Sequence, residues 1–257
     1  VGRDGRPGVL IRTLYWLRHY TAGRLFRLGR FTYMLRELPT QIWGYRNRDS
    51  GQVALLMPPG VHFNEDGYVV NDDDPSKAWI SHFTQTDSHV HGFAASALGM
   101  AIETPMTLNR TEWTQILGPG DTVLDMHIPA GGGMTLQACK QSLTQAFTFF
   151  RRTFPERPAK AVYCASWIFN TQLEERLPES NLAKFMRELY LFPILSDGKD
   201  GLFFVFYRDY DDWSLAPRKT SLQRALIDIY TSGIGLRSSG MLFFEQDLPY
   251  FGQHVYR

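Results

Sequence analysis

One short segment, residues 122–139, constrains the fold of this chain more than any other part of the sequence. It reads TVLDMHIPAGGGMTLQAC. Strand-forming residues end at Pro129, three glycines follow, and Thr135 is well suited to cap a helix. Because proline has no N–H, the strand must stop pairing there, and it can then splay away from its neighbour. The segment therefore predicts a strand, a glycine loop and a helix, with a gap beside the strand end.

The loop of this corner has the chemistry of an anion site. Gly131, Gly132 and Gly133 can adopt positive φ, and they let a ligand approach the backbone closely. Free N–H groups at a helix N-terminus attract anions, phosphate above all. A flexible glycine-rich turn explains the same residues equally well. The loop matches neither the dinucleotide fingerprint nor the nucleotide P-loop, because no Gly-Lys-Ser/Thr sequence follows it.

The order of predicted elements changes at residue 121, and this change indicates the fold class. Before it we expect, by periodicity and turn signals, a helix at 8–20, a strand at 24–35, several short antiparallel strands, and a short helix from Asn109 or Thr111 to Leu117. After it the pattern predicts strands at 122–128, 160–168, 201–208 and 240–246, and helices at 135–150, 171–190 and 220–232. Antiparallel strands followed by an alternating half predict an α+β fold with a mixed sheet.

Composition limits the cellular compartment and the kinds of binding partner that we expect. No run of eighteen apolar residues occurs among the 257 residues, which argues against a membrane span. Cys139 and Cys164 form neither a disulfide framework nor a metal-binding spacing, so we expect core residues and a cytoplasmic setting. Residues 1–48 carry ten Arg, no Lys and only two acids, giving a formal charge of +8 in a chain of net charge +1. Without a nucleic-acid motif, pairing with acidic residues of the same chain is favoured over nucleic acid.

Four stretches resemble a bacterial family of acyltransferases with a GNAT-like C-terminal domain. They are GRLFRLGRF (23–31), GDTVLDMHIPAGGGMTLQACKQSL (120–143), SWIFNTQLEERLPESNLAKF (166–185) and PRKTSLQRALID (217–228). The resemblance implies a mostly antiparallel, twisted mixed sheet flanked by helices, with splayed central strands. It also implies that residues 1–22 are the tail of a helical N-terminal region. Residues 23–257 then form the acyltransferase domain, with an antiparallel half (23–120) and a CoA-binding half (121–257).

The same resemblance implies acetyl-CoA or another acyl-CoA as co-substrate. Its pantetheine arm would lie between strands 122–128 and 160–168, and its pyrophosphate on the glycine loop. The residues expected to bind it are Ile128, Ala130, Gly131, Gly132, Gly133, Met134, Thr135, Trp167 and Asn181. Two of these have ordinary structural explanations, since Trp167 fits a core position and Asn181 a helix cap.

Direct attack of an amine on a thioester needs a base, an oxyanion donor and positioning. Asp125 and His127 lie two apart on one strand face, so the carboxylate can orient the imidazole. We therefore expect His127 to act as the base or to contact substrate, and Ser166 to contact pantetheine or the leaving sulfur. A polar pair packed on a sheet face is the alternative interpretation of Asp125 and His127.

The sequence departs from the wider GNAT pattern at two points. PAGGGM lacks the Gln or Arg that usually begins the loop, and Arg187 stands where a proton-donating Tyr is expected, with Tyr190 three residues further on. These departures leave a second hypothesis, a ligand-binding module that has lost its catalytic acid.

A third, weaker hypothesis is a metal-dependent hydrolase built on HVHG (89–92) with His62 and His82. No third ligand stands at a suitable spacing, so we predict no metal. The acceptor amine is not identified by the sequence, and the turn-bounded strands leave an edge at which a homodimer can form.

Overall fold

The computed structural model of the chain describes residues 17–196 and 199–257. Most of the predicted helix 8–20 lies outside the described residues. Residues 17–21 are helical, and Gly23 follows them with a φ of 63°, a left-handed conformation that suits glycine. The predicted assignment of residues 1–22 to a separate N-terminal region stays a prediction.

The strands and helices are numbered along the described chain. The strands are β1 (Phe26–Leu28), β2 (Phe31–Glu37), β3 (Trp43–Asn47), β4 (Val53–Leu56), β5 (His62–Phe63), β6 (Trp79–Ile80), β7 (Phe83–Gln85), β8 (His89–Ala95), β9 (Ala101–Asn109), β10 (Trp113–Leu117), β11 (Thr122–His127), β12 (Ala161–Ser166), β13 (Tyr190–Pro193) and β14 (Ser239–Phe244). The helices are α1 (Leu136–Thr153), α2 (Thr171–Arg176), α3 (Asn181–Met186), α4 (Asp200–Phe206) and α5 (Ser221–Thr231).

The first sheet has the order β1-β2-β11-β12-β14-β13, and β11 and β12 are its parallel neighbours while the other pairs are antiparallel. Successive side chains of β11 alternate between two buried layers. Leu124 and Met126 pack with Leu143 of α1, whereas Val123 packs with Leu55 of the second sheet. The predicted α+β architecture with a mixed sheet is confirmed.

The second sheet follows the order β10-β3-β4-β8-β7, with β9 paired to β8, and β5 and β6 form a small third sheet. Its own core contains Tyr45, Leu56 and Leu108. Polar contacts join it to the first sheet and to the turn that follows β14. Arg46 of β3 makes a bidentate ion pair with Asp247, at 2.9 and 2.8 Å. The buried Tyr190 hydroxyl of β13 donates to the Ala95 carbonyl of β8 at 2.7 Å.

The predicted helix from Asn109 or Thr111 to Leu117 is wrong, because the segment forms strand β10. The Asn109 side chain accepts bonds from the Thr111 amide and hydroxyl, at 3.0 and 2.8 Å, so it closes a turn instead of capping a helix. Beyond the turn, β10 pairs with β3, beginning with Trp113 opposite Asn47. This distant partner outweighs the local helix signal.

Two predictions in the second half of the chain also need correction. The predicted strand 201–208 is helix α4, which ends where Tyr207 takes the left-handed conformation at φ 56°. An apolar run such as GLFFVF fits a buried strand or a buried helix equally well by pattern. The predicted helix 171–190 is divided into α2, α3 and strand β13. Pro178 interrupts it, and Ser180 starts α3 by accepting from the Ala183 amide at 3.1 Å.

The helix starts that the sequence marks clearly are confirmed. Thr135 caps α1, and its hydroxyl oxygen accepts from the Ala138 amide at 3.3 Å. Thr220 and Gln223 form a reciprocal capping box at α5. The position of the α1 N-terminus, directly after the glycine loop, sets the geometry of the candidate site.

Candidate functional site

A gap opens in the first sheet between β11 and β12. Their ladder contains only the pairs Leu124–Val162 and Asp125–Tyr163, although the strands continue to His127 and Ser166. On its other side, β11 stays paired with β2 through His127 opposite Thr32. The two parallel strands therefore separate after Asp125, before Pro129 is reached, and the backbone edges beyond that point face each other without a ladder.

The glycine loop lies at the end of this gap. Gly131 and Gly132 have φ values of 78° and 73°, and residues 130–133 are exposed. None of the amides of residues 130–135 donates a hydrogen bond within the described part of the chain. Met134 is buried and fixes the loop to the core under α1. The corner therefore presents a row of available N–H groups beside a helix N-terminus, which is the geometry that anions prefer.

A polar cluster lies on one face of β11 at the mouth of the gap. The Asp125 carboxylate is only 5% exposed, and its Oδ2 is 3.0 Å from Arg36 Nη1 and 3.6 Å from His127 Nε2. Arg36 reaches it because it stands opposite Val123 in the β2–β11 register, on the same face. The guanidinium stabilises a buried negative charge, and that charge lies where it can orient the imidazole.

Two further titratable groups adjoin this cluster. Burial raises the pKa of Tyr163, and the nearby Asp125 charge raises it further, so the phenol stays protonated at neutral pH. Tyr163 belongs to the last pair before the strands separate. Burial lowers the pKa of His19, and the charges of Arg18, Arg24 and His127 lower it further. The helical residues 17–21 thus bring a second imidazole near His127.

Comparison with known proteins identifies the family. A family model described as the GNAT-like C-terminal domain matches residues 25–242. This chain belongs to that family. The match spans the gap, the glycine loop and the polar cluster, and it agrees with the sequence resemblance. No curated protein matches significantly.

Solved acyltransferase structures share the fold of this GNAT-like domain. One is an acyltransferase in complex with decanoyl-CoA and teicoplanin, with a TM-score of 0.57 and 20% identity. Another is an acyltransferase mutant in complex with octanoyl-CoA, with a TM-score of 0.56 and 21% identity. Each match covers 94% of this chain and 52% of the other, so the chain spans about half the length of these proteins.

Ser166 and Trp167 lie where β12 ends, beside the gap of the GNAT-like domain. The Ser166 hydroxyl oxygen accepts from the Ile168 amide at 3.4 Å and caps the short 3-10 turn Trp167–Phe169. Trp167 stacks on Phe204 of α4, with ring centroids 6.4 Å apart. Both residues therefore have structural contacts, and their roles in ligand binding stay predictions.

The structure places the remaining predicted residues less favourably. Asn181 is exposed at the first position of α3, and the capping role expected of it belongs to Ser180. Arg187 donates to the Glu174 carboxylate at 3.1 Å and to the Pro178 carbonyl at 3.0 Å. Because the Tyr190 hydroxyl is bonded to Ala95, neither Arg187 nor Tyr190 is placed to protonate a leaving thiolate.

The histidines outside the cluster have their own contacts. His62 Nε2 lies 3.0 Å from Asp72, and His91 Nδ1 lies 2.9 Å from the Thr107 hydroxyl. Among residues 17–196 and 199–257, no group of three or more His, Cys, Asp or Glu side chains could hold a metal ion. The helices of the same residues include none that is both long and apolar enough to cross a membrane.

A separate cleft of about 300 Å³ lies at the opposite end of α1 from the glycine loop. Its lining residues are Gly23, Arg24, Phe26, Leu35, Phe150, Phe154 and Arg157. Because α1 separates it from the gap by most of the helix length, this cleft is not part of the candidate site.

Sequence reasoning missed Arg30, Arg36, Tyr163 and His19. The period-two alternation of β2 could have placed Arg36 on the face of a buried strand. Its partner Asp125 is 89 residues away, however, and the register of the two strands was not predictable. No sequence pattern indicated a functional role for Arg30, which lies in the turn between β1 and β2.

Proposed function

We propose that this chain is an acyl-CoA-dependent acyltransferase that moves an acyl group from the CoA thioester to an amine by direct attack. The observation that carries the proposal is the gap between β11 and β12, which ends at a loop whose amides are available. In this arrangement the pantetheine arm takes the place of a missing strand, and the diphosphate accepts from Gly131, Gly132 and Gly133.

The backbone at the gap supplies an oxyanion donor. Successive residues of a strand direct their N–H groups to opposite neighbours. One of Met126 and His127 therefore directs its N–H toward β2 and the other toward the gap. A thioester carbonyl placed beside that free N–H receives a fixed hydrogen bond as negative charge develops on its oxygen.

The polar cluster supplies the base. The amine nitrogen attacks the thioester carbon, a C–N bond forms, and the C–S bond breaks to release CoA. His127 takes the proton that the amine loses, and Asp125 stabilises the resulting imidazolium. Arg36 holds the Asp125 carboxylate in place through the ion pair at 3.0 Å.

The related structures support the choice of co-substrate. Solved structures of acyltransferases with the same fold contain octanoyl-CoA, decanoyl-CoA or CoA. This chain spans about half the length of those proteins, so their acceptor is not transferred to it. The acceptor is proposed only at the level of its chemical class, an amine.

A second candidate, an acyl-CoA-binding module without catalysis, is favoured by one observation. Arg187 and Tyr190, the residues nearest to the position of the family's proton donor, are both held in structural contacts. This candidate predicts the same affinity for acyl-CoA and no turnover.

Two measurements test these candidates in order. Calorimetric titration with decanoyl-CoA and acetyl-CoA should give saturable binding at one site, and its absence would exclude both candidates. A thiol-release assay over a panel of amines should then show CoA release that depends on the amine. Binding without release for every amine would leave the binding module as the function.

A further inference from the structure

A single arginine, Arg30, bonds to both ends of the glycine loop. Its Nη1 donates to the Pro129 carbonyl at 2.9 Å, and its Nε donates to the Gly133 carbonyl at 3.1 Å. The side chain comes from the turn between β1 and β2, about a hundred residues away in the sequence. A planar guanidinium holds two acceptors in a fixed fork, which a flexible ammonium group cannot do.

These two bonds orient the amides of the loop. In a trans peptide the C=O and the N–H point in opposite directions. The Pro129 carbonyl shares its peptide with the Ala130 amide, and the Gly133 carbonyl shares its peptide with the Met134 amide. Because Arg30 holds both carbonyls, the N–H groups of Ala130 and Met134 must point away from it. Neither amide donates within the described residues, so both are available to a ligand.

The turn that carries Arg30 is fixed to helix α1. Buried Ser142 of α1 accepts from the Phe31 amide at 3.1 Å and donates to the Leu28 carbonyl at 2.5 Å. Gly29, at φ 63°, lies so close that a Cβ there would be 3.3 Å from Ser142 Cα. The guanidinium is therefore held at a constant position relative to the helix N-terminus.

The arginine also supplies a charge that the loop lacks. Residues 129–135 read PAGGGMT and contain no basic side chain. Arg30 is partly exposed, and its Nη2 has no hydrogen-bond partner among the described residues. Its guanidinium lies close enough to the loop that a Cβ on Gly132 would be 3.8 Å from Arg30 Nε. An anion bound by the outward amides lies across the loop from Arg30, and the guanidinium acts on it through space as a nearby positive charge.

We propose that Arg30 is the positioning residue of the nucleotide-diphosphate subsite: it sets the loop amides outward and adds the cation that the loop lacks. The inference rests on the proposed function. It predicts that Arg30 contributes to the affinity for the diphosphate part of acyl-CoA and not to the affinity for its acyl-pantetheine part.

The test compares two ligands across four proteins. Decanoyl-CoA and S-decanoyl-pantetheine share the acyl chain and the thioester, and only the first carries the diphosphate. Their affinities are measured by calorimetry for wild type, Arg30→Met, Arg30→Lys and Arg27→Met. Arg27 is the matched control, since it lies three residues earlier in strand β1 and donates to the Gly29 carbonyl at 2.9 Å, with no hydrogen bond to the glycine loop among the described residues.

Arg30→Met should lower the affinity for decanoyl-CoA by about tenfold or more, because the loop amides lose their fixed orientation and the diphosphate loses a nearby positive charge. Its affinity for S-decanoyl-pantetheine should equal that of wild type. The affinity of Arg30→Lys for decanoyl-CoA should lie between those of wild type and Arg30→Met, because the charge remains while the bridge between the carbonyls is lost. Arg27→Met should bind both ligands as wild type does. In turnover, KM for decanoyl-CoA should rise in Arg30→Met while kcat stays within about twofold.

Three results would overturn the inference. Unchanged affinity of Arg30→Met for decanoyl-CoA would show that the bridge is irrelevant to binding. An equal loss for both ligands would show that Arg30 only maintains the fold. If wild type itself bound neither ligand, the proposed function would fail, and this inference with it.

Discussion

Strand β12 has one closed side and one open side, and the contrast shows what creates the gap. Along β14 it pairs over its whole length, from Ala161 opposite Phe244 to Ser166 opposite Ser239. Along β11 it pairs only at Val162 and Tyr163. The backbone of β12 is therefore able to pair throughout. The gap arises on the β11 side, where the strand leaves β12 after Asp125, stays with β2 through His127, and then continues into Pro129 and the glycine loop.

Glycines serve opposite purposes on the two sides. On the closed side, a Cβ on Gly240 of β14 would be 2.1 Å from Phe192 Cζ of β13, so the glycine makes room for a buried ring. On the open side, a Cβ on Gly131 or Gly133 would meet nothing within 4 Å. The protein's own side chains fill the space beside β14, whereas the gap between β11 and β12 leaves its space to a ligand.

The largest expected effect is on kcat, through the polar cluster beside the gap between β11 and β12. Replacing His127 with Gln should lower kcat by about 10²–10⁴-fold, the usual contribution of a general base. The affinity for decanoyl-CoA should stay unchanged. The control is His91→Gln on β8, an exposed histidine that contacts Thr107. Steady-state kinetics in which both variants behaved alike would remove His127 from the mechanism.

The next effect is on stability at the closed side of β12. Gly240→Ala should lower the free energy of unfolding by about 1–3 kcal/mol, because the new methyl overlaps the Phe192 ring. Gly133→Ala, at a glycine without positive φ, should change it by less than about 0.5 kcal/mol. Urea denaturation of both variants measures the difference. Equal losses would mean that Gly240 and Gly133 do not differ in packing as described.

A smaller effect is expected for ligand binding at the open side. Gly133→Ala adds a methyl where the diphosphate must approach the backbone, so the affinity for decanoyl-CoA should fall about tenfold. S-decanoyl-pantetheine should bind the variant as it binds wild type. Calorimetry that found both affinities unchanged would place the diphosphate elsewhere.

The smallest effect concerns the cysteines, which lie in the core behind the gap. Burial raises the pKa of Cys139 to about 12 and that of Cys164 well above its usual value. A raised pKa keeps the thiol protonated, so thiolate forms in the folded chain only at strongly alkaline pH. A thiol reagent at pH 8 should therefore label neither residue until urea unfolds the chain. Rapid native labelling would contradict the burial of these side chains.

Local signals made part of this structure predictable. Thr135, Thr220 and the glycine corner carry their information within a few residues, and each lies where the sequence placed it. Strand β10 was mispredicted because its distant partner β3 decides its conformation, and helix α4 because an apolar run fits a buried strand as well as a buried helix. The contact between Asp125 and His127 followed from strand alternation, whereas Arg36 and Arg30 act across about ninety residues or more. The cytoplasmic setting and the homodimer stay predictions.

A crystal structure of the chain with bound CoA tests the central claim most directly. Diphosphate oxygens should lie within hydrogen-bond distance of the amides of residues 130–134. The pantetheine arm should lie between Met126–His127 and Cys164–Ser166. A structure in which the β11–β12 ladder continued through His127, with CoA bound elsewhere, would contradict the central claim.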